Sequence, residues 1–300
     1  MADSSPSSAL SPERYLAWLY SQPEQQAVLA ALCQIEAEIA GSLKSGIDHH
    51  VAHARLQWWR EECERTAQGR PVHPLTRELL RASGDAGAGA SAPSLMAGVS
   101  GFVDTAVWDL AGATFETRKE LTAYCVRWAS AMFETVGTAS RSTAATPSAD
   151  ASVTATPPEQ DPTRLRMLGA AVREVELLAG LAREAHAGRL RVPLDELEQA
   201  GVDVGSLAKP RWPAALETLL RQRHTTLRAT IASAVSQFGR DEQAPIRGLL
   251  VWAALAYRLS WRAQRALPNV ISPRRYHALS DGWHAWRAAH RATAGTLRLN

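Results

Sequence analysis

Lysine is almost missing from this 300-residue chain: only Lys44, Lys119 and Lys209 occur, so arginine carries nearly all the positive charge. Phenylalanine and tyrosine are scarce as well, at four and five residues. The three cysteines, Cys33, Cys63 and Cys125, are too few and too scattered for a disulfide framework or a zinc knuckle. They fit a reducing compartment. The first residues, Met1-Ala-Asp-Ser-Ser-Pro, have no basic segment and no apolar stretch, so no signal peptide is expected. The longest apolar run, Gly248 to Tyr257, is about half the length of a membrane span. Alternation of β-branched and aromatic residues is rare, which argues against strands. No Gly-x-Ser-x-Gly elbow, Walker loop or dinucleotide fingerprint occurs, and Gly87-Ala-Gly-Ala is low-complexity sequence, not a phosphate cradle. A net charge of +3 gives no electrostatic argument for nucleic acid. The expected location is cytoplasmic, with peripheral contact at the inner membrane left open.

What is present is helix-forming sequence: Ala, Leu, Arg, Glu and Gln dominate. Ser11-Pro12 reads as a cap and first turn, opening a helix to Tyr20. Pro23 restarts a helix to about Gly41, and Asp48 caps another to about Gln68, stopped by Gly69-Arg-Pro. Further helices are expected at 74–81, 115–136, 163–187, 193–200, 213–238, 241–266 and 273–294. Residues 83–100, rich in Gly, Ala and Ser, read as a loop. Residues 1–10 read as a disordered N-terminus, and 11–300 as a single all-α domain. Within it, 138–162 is low-complexity Ala, Thr, Ser and Pro and reads as a mobile loop.

Two stretches are distinctive. One is Arg55-Leu-Gln-Trp-Trp-Arg-Glu-Glu, followed by Gly69-Arg-Pro-Val-His-Pro-Leu. The other is Leu168-Gly-Ala-Ala, then Gly188-Arg-Leu-Arg-Val-Pro-Leu-Asp-Glu-Leu, with Gly201 beyond. Both resemble the squalene/phytoene synthase family, in order and in spacing, over roughly residues 12–292. The resemblance implies an isoprenoid synthase-like helical bundle with a central cavity. It also implies two acidic clusters on facing helices, which in that family hold Mg²⁺ against the substrate diphosphates. Hard divalent cations want carboxylate and phosphate oxygens, and metals there neutralise the leaving charge.

Here those clusters are degenerate. The second falls on Glu176, Ala179, Gly180, Arg183 and Glu184: Gly180 stands for an aspartate, and Arg183 reverses a glutamate. The first falls on Gln34, Ala37, Glu38 and Gly41, where only Glu38 keeps a carboxylate. Glu38-Ile39-Ala40 is similar to a branch that includes relatives of the mitochondrial complex I assembly factor. The resemblance therefore implies a non-catalytic protein that binds an isoprenoid, another lipid or a protein partner. The alternative is an active Mg²⁺-dependent transferase joining two prenyl diphosphates, with Glu38, Glu176 and Glu184 as metal ligands. A third reading is a scaffold whose cavity is filled by side chains. The pocket set the resemblance implies is Glu38, Arg55, Tyr124, Glu176 and Glu184.

Other features have plainer readings. Asp48, His49, His50 and His53 cluster, but at a helix start, where Asp is an expected cap; no zincin glutamate accompanies them. Cys63 sits among acids that raise a thiol pKa, which argues against a nucleophile. From Arg211 onward there are fourteen arginines against four acids. Arg258, Arg262 and Arg265 share a face near Trp261. This region could meet anionic lipid or an acidic partner, or be an ordinary solvated face. Tryptophan is abundant, at ten residues. Trp58 and Trp59 must diverge by about 100° on a helix, one to the core and one to a rim. Trp283 and Trp286 share a face.

Overall fold

The computed structural model describes residues 10–44, 46–85, 92–112, 114–139, 161–209, 211–268 and 277–299. Among them the regular elements are all helices, as the composition predicts. They are α1 (Pro12–Leu19), α2 (Pro23–Gly41), α3 (His49–Ala67), α4 (Pro74–Asp85), α5 (Ala92–Leu110), α6 (Arg118–Ala129) and α7 (Thr135–Ala139). Then come α8 (Pro162–Ala179), α9 (Leu181–His186), α10 (Leu194–Gln199), α11 (Ala214–Ser236), α12 (Arg240–Gln243), α13 (Arg247–Ala266) and α14 (Ala278–Thr293). A π-helical turn, Ser130–Glu134, joins α6 to α7. No helix among the described residues is long and apolar enough to cross a membrane. Residues 1–9 and most of the 138–162 stretch lie outside the described residues, although Thr138 and Ala139 end α7 and Asp161 caps α8.

The local signals act as expected. Ser11 accepts from the Arg14 amide, and Asp48 accepts from the amides of His50 and Val51. The Asp48 carboxylate is thus a helix cap, and the exposed His49 and His53 rings simply face each other, with Nε2 atoms 3.1 Å apart. The apolar run 248–256 is the central helix α13, buried at every position from Gly248 to Ala256. α13 packs against α1, α8, α11 and α14.

One stretch departs from expectation. Residues 92–100 are helical, the start of α5, not loop. Small residues there permit close helix approach, which composition alone confuses with a loop. A Cβ on Gly101 would lie 2.5 Å from the Arg127 carbonyl oxygen on α6, and one on Gly98 would lie 3.0 Å from Thr135 Oγ1.

The Arg55–Pro74 block also proves to be architectural. Glu62 is completely buried, yet its Oε1 accepts from the amides of Val72 (2.9 Å) and His73 (2.8 Å) and from Thr76 Oγ1 (2.6 Å). Its carboxyl lies below the usual range: burial pushes it up, but the hydrogen bonds from Thr76, His73, Val72 and Arg65 outweigh that. Gly69, at φ 74°, turns the chain so that these amides meet it. Trp59 is buried and Trp58 is on the rim, the divergence expected of neighbours on a helix.

Alanine at an exposed helical glycine normally stabilises by about 1 kcal/mol. At Gly101 the sign reverses: Gly101→Ala should lose about 1–3 kcal/mol through overpacking. The expected readout is a lower urea midpoint with an unchanged denaturant slope.

Candidate functional site

Three helices present one face each to a cavity of about 740 Å³. α8 contributes Arg173, Glu176 and Leu177, with Gly180 at its end, and α13 contributes Trp252, Leu255, Ala256 and Leu259. Both sets follow helical spacing. α2 adds Ala40, and Leu43 and Lys44 follow it. The α13 lining is therefore apolar, and it meets the charged residues directly, Trp252 Nε1 lying 3.0 Å from Glu176.

The charged wall is built of guanidinium–carboxylate pairs. Arg14, from α1, donates to Glu36 on α2 at 2.5 Å, and Trp128 Nε1 donates to the other Glu36 oxygen at 2.8 Å. Arg173 donates to Glu176 Oε2 at 3.2 Å, while Trp252 Nε1 donates to Glu176 Oε1 at 3.0 Å. The Arg173 guanidinium lies over the Trp128 ring, 4.9 Å from its centre. Burial alone would raise the Glu36 carboxyl, but the charges of Arg14 and Arg173 and the donated hydrogen bonds hold it below the usual carboxylate range.

The second pairing lies at α9 and the turn after it. Gly188 adopts φ 75°, reversing the chain, and the Arg189 amide bonds back to the Glu184 carbonyl. That reversal returns two arginines to the Glu184 side chain. Arg189 Nε lies 2.9 Å and Arg191 Nη2 3.1 Å from Glu184 Oε2. Arg191 also donates to Asp109 at 2.6 Å, and Tyr124 donates its hydroxyl to the other Asp109 oxygen at 3.1 Å. Burial would raise the Glu184 carboxyl; hydrogen bonds from Arg189 and Arg191 and their charge instead hold it at about 2. Burial and the nearby Asp109 push the Tyr124 phenol up to about 12.

The five residues expected in the pocket are thus divided. Glu176 and Glu184 both line the cavity. Tyr124 is buried and is not itself a lining residue, but it meets the lining residues Asp109, Arg191 and Arg173. Glu38 and Arg55 lie elsewhere, in an outer hollow beside Trp58 and Trp59, where Glu38 pairs with His73 Nε2 at 3.1 Å. The α2 carboxylate behind the cavity wall is Glu36, two residues earlier, which pairs with the lining Arg14. Motif alignment missed it, but spacing carried the signal: Glu36 lies four residues beyond buried Leu32 and four before the lining Ala40. At Cys63, burial first, then Glu62, Asp104 and Glu64, push the thiol up to about 12, away from the thiolate.

The donor set does not fit Mg²⁺. Asp109, Glu176 and Glu184 already accept from arginine, tyrosine or indole donors, Glu38 is outside the cavity, and Glu13 alone offers too few oxygens for the cation. Among the described residues, two buried polar atoms of the cavity lining have no hydrogen-bond partner, the Nε of Arg173, a donor, and the Oε1 of Glu13, an acceptor. No group of three His, Cys, Asp or Glu side chains that could hold a metal occurs among the described residues. On the open side, exposed Lys44 and Arg183 add positive charge to the rim.

A helical bundle around a cavity between α2, α8 and α13 is the all-α isoprenoid synthase-like fold, and solved structures share it. A dehydrosqualene synthase in complex with a ligand is similar at a TM-score of 0.67 with 16% identity, covering 94% of this chain and 90% of that one. Squalene synthase HpnC from Alicyclobacillus acidocaldarius is similar at a TM-score of 0.60 with 16% identity, covering 83% of this chain and 87% of that one. No curated protein sequence matches the chain. The squalene/phytoene synthase family matches residues 8–280, and the chain belongs to that family.

Glu36→Leu leaves Arg14 and the Trp128 N–H without their acceptor, and should lower unfolding free energy by about 3–5 kcal/mol. Adding Arg14→Met should recover much of the loss, since two apolar groups replace a buried pair at little cost. Urea unfolding of the three variants gives the cycle.

Glu184 makes stability pH-dependent with a definite sign. Its folded pKa, about 2, lies below the ordinary 4.5, so its contribution is complete above 4.5 and lost as pH falls toward 2. The stability gap between wild type and Glu184→Gln should narrow below pH 4.5 and vanish near 2. Urea midpoints measured down the acid limb test this.

Proposed function

We propose that this chain is a non-catalytic member of its family that holds an isoprenoid or another lipid with an anionic end. One observation carries the reading: of the four described carboxylates lining the cavity, Asp109, Glu176 and Glu184 are engaged by arginine, tyrosine or tryptophan donors, which leaves Glu13 as the one lining carboxylate with an unpartnered oxygen. A site for Mg²⁺ needs several carboxylate oxygens free to converge on one point. Here Gly180 offers none, Arg183 opposes it, and Glu176 and Glu184 each carry a guanidinium. Guanidinium groups match phosphate and carboxylate oxygens directly. The apolar wall of Trp252, Leu255 and Leu259 suits a hydrocarbon chain, and about 740 Å³ is ample for one. A dehydrosqualene synthase of the same fold is known in complex with a ligand, which supports ligand binding by a protein of this fold.

We also infer that the chain belongs with the degenerate branch similar to the complex I assembly factor relatives. Glu38-Ile39-Ala40 and the loss of carboxylates at Ala37, Gly41 and Gly180 support this.

Radiolabelled farnesyl or geranylgeranyl diphosphate separates the readings. Incubated with Mg²⁺, the protein should release no pyrophosphate and form no squalene- or phytoene-sized hydrocarbon. The labelled ligand should remain bound in gel filtration, and equally so in a metal chelator. Pyrophosphate release with a coupled hydrocarbon product would establish the active transferase instead. Absence of binding would leave the cavity a structural feature.

A further inference from the structure

The outer face of α14 carries a feature that neither the core nor the cavity uses. Trp283 and Trp286 are 57% and 47% exposed, and Leu279, one turn earlier, is 93% exposed. The two indoles stack, with ring centres 4.9 Å apart and planes at 27°. His290 continues the row, its ring 5.7 Å from Trp286 at 11°. The opposite face of the helix, Ala285, Ala288, Ala289 and Ala292, is buried, and α14 packs on α13. The tryptophans therefore cannot turn inward. They form a fixed aromatic strip on the outer face of α14.

Charge on this helix has one sign outside. Arg287 and Arg291 are exposed and pair with no carboxylate among the described residues. The single acid of α14, Asp281, is buried and held by Arg262 at 2.7 Å and by Arg258 at 3.6 Å. That pairing also takes two arginines of the C-terminal basic region away from any partner. What remains outside is Leu, Trp, Trp and His beside two unneutralised guanidiniums.

We propose that this face docks on a lipid bilayer bearing anionic headgroups. Indoles are favoured at the boundary of hydrocarbon and water, having an apolar body and a polar N–H. Arginines flanking them match the negative surface potential, and each basic residue near such a surface contributes about 1 kcal/mol. A symmetric contact with a second copy would bring Arg287 and Arg291 against their own equivalents without a carboxylate between them, which is unfavourable. The surface is distinct from the cavity, so vesicle binding and ligand binding are read separately, and either can fail alone.

The test is co-sedimentation of the full chain with phosphatidylcholine vesicles and with vesicles about one-third phosphatidylglycerol. The wild type should bind the anionic vesicles, bind neutral ones at least about tenfold more weakly, and release at high salt. W283A/W286A should weaken anionic-vesicle binding by about tenfold or more. R287E/R291E should do the same while leaving the tryptophans in place. All four side chains are exposed, so an unchanged melting temperature serves as the folding control. No binding to anionic vesicles by the wild type, or full binding by W283A/W286A, overturns the proposal. So does a wild-type dimer in sedimentation that W283A/W286A makes monomeric, because the strip would then be a contact between copies.

Discussion

Burying a guanidinium beside a carboxylate is the constraint on which the cavity depends. Neither ion tolerates removal from water alone, and their attraction offsets the desolvation only when the remaining donors and acceptors are also satisfied. At the heart of this bundle that is met by bringing α1, α2, α6, α8 and α13 to one place. Arg14 reaches Glu36, Trp128 meets the second Glu36 oxygen, and Arg173 reaches Glu176, whose other oxygen takes the Trp252 indole. The tryptophans thus have two roles, since their rings pack with Phe133 in the core and their N–H groups complete the carboxylates. None of the five helices can shift far without leaving a charge unpaired.

The same pairing defines what the cavity can and cannot hold. A carboxylate that accepts from arginine has little left for a divalent cation, and Arg183 adds positive charge where the family places an acid. The bundle shares the synthase fold, and its charged wall is built of guanidinium–carboxylate pairs. Fold and chemistry separate in this way because packing depends on apolar faces and close approaches, whereas a metal site depends on a few oxygens at fixed positions. Substituting Gly for Asp at 180 removes the oxygens and leaves the helix pair α8–α9 standing, with Gly180 as its joint.

Helices were legible because their signals are local. Ser11, Asp48 and Asp161 act through neighbouring amides, and Gly69 and Gly188 act through their own dihedral angles. The family resemblance was legible for a similar reason: turn residues and their spacing survive in the chain. Residues 92–100 were not legible, because small side chains signal either a loop or a close helix contact, and only the neighbour at Arg127 and Thr135 decides. Glu36, the buried partner of Arg14, was not legible because alignment counts positions from a degenerate motif, while pairing follows the helical face. Arg55 fell outside for the same reason, its motif being held by Glu62 for the turn between α3 and α4.

By itself, the sequence determined the helices, their caps, the family and the loss of acidic residues at Ala37, Gly41 and Gly180. Those are properties of the residues present and of short-range geometry. Only the tertiary structure decided that Arg14 meets Glu36 across 22 positions, that Arg191 meets Asp109 across 82, and that Trp283 and Trp286 remain outside. Pairings over such separations depend on how whole helices stack, and that follows from the shape of the packed core and not from any local pattern.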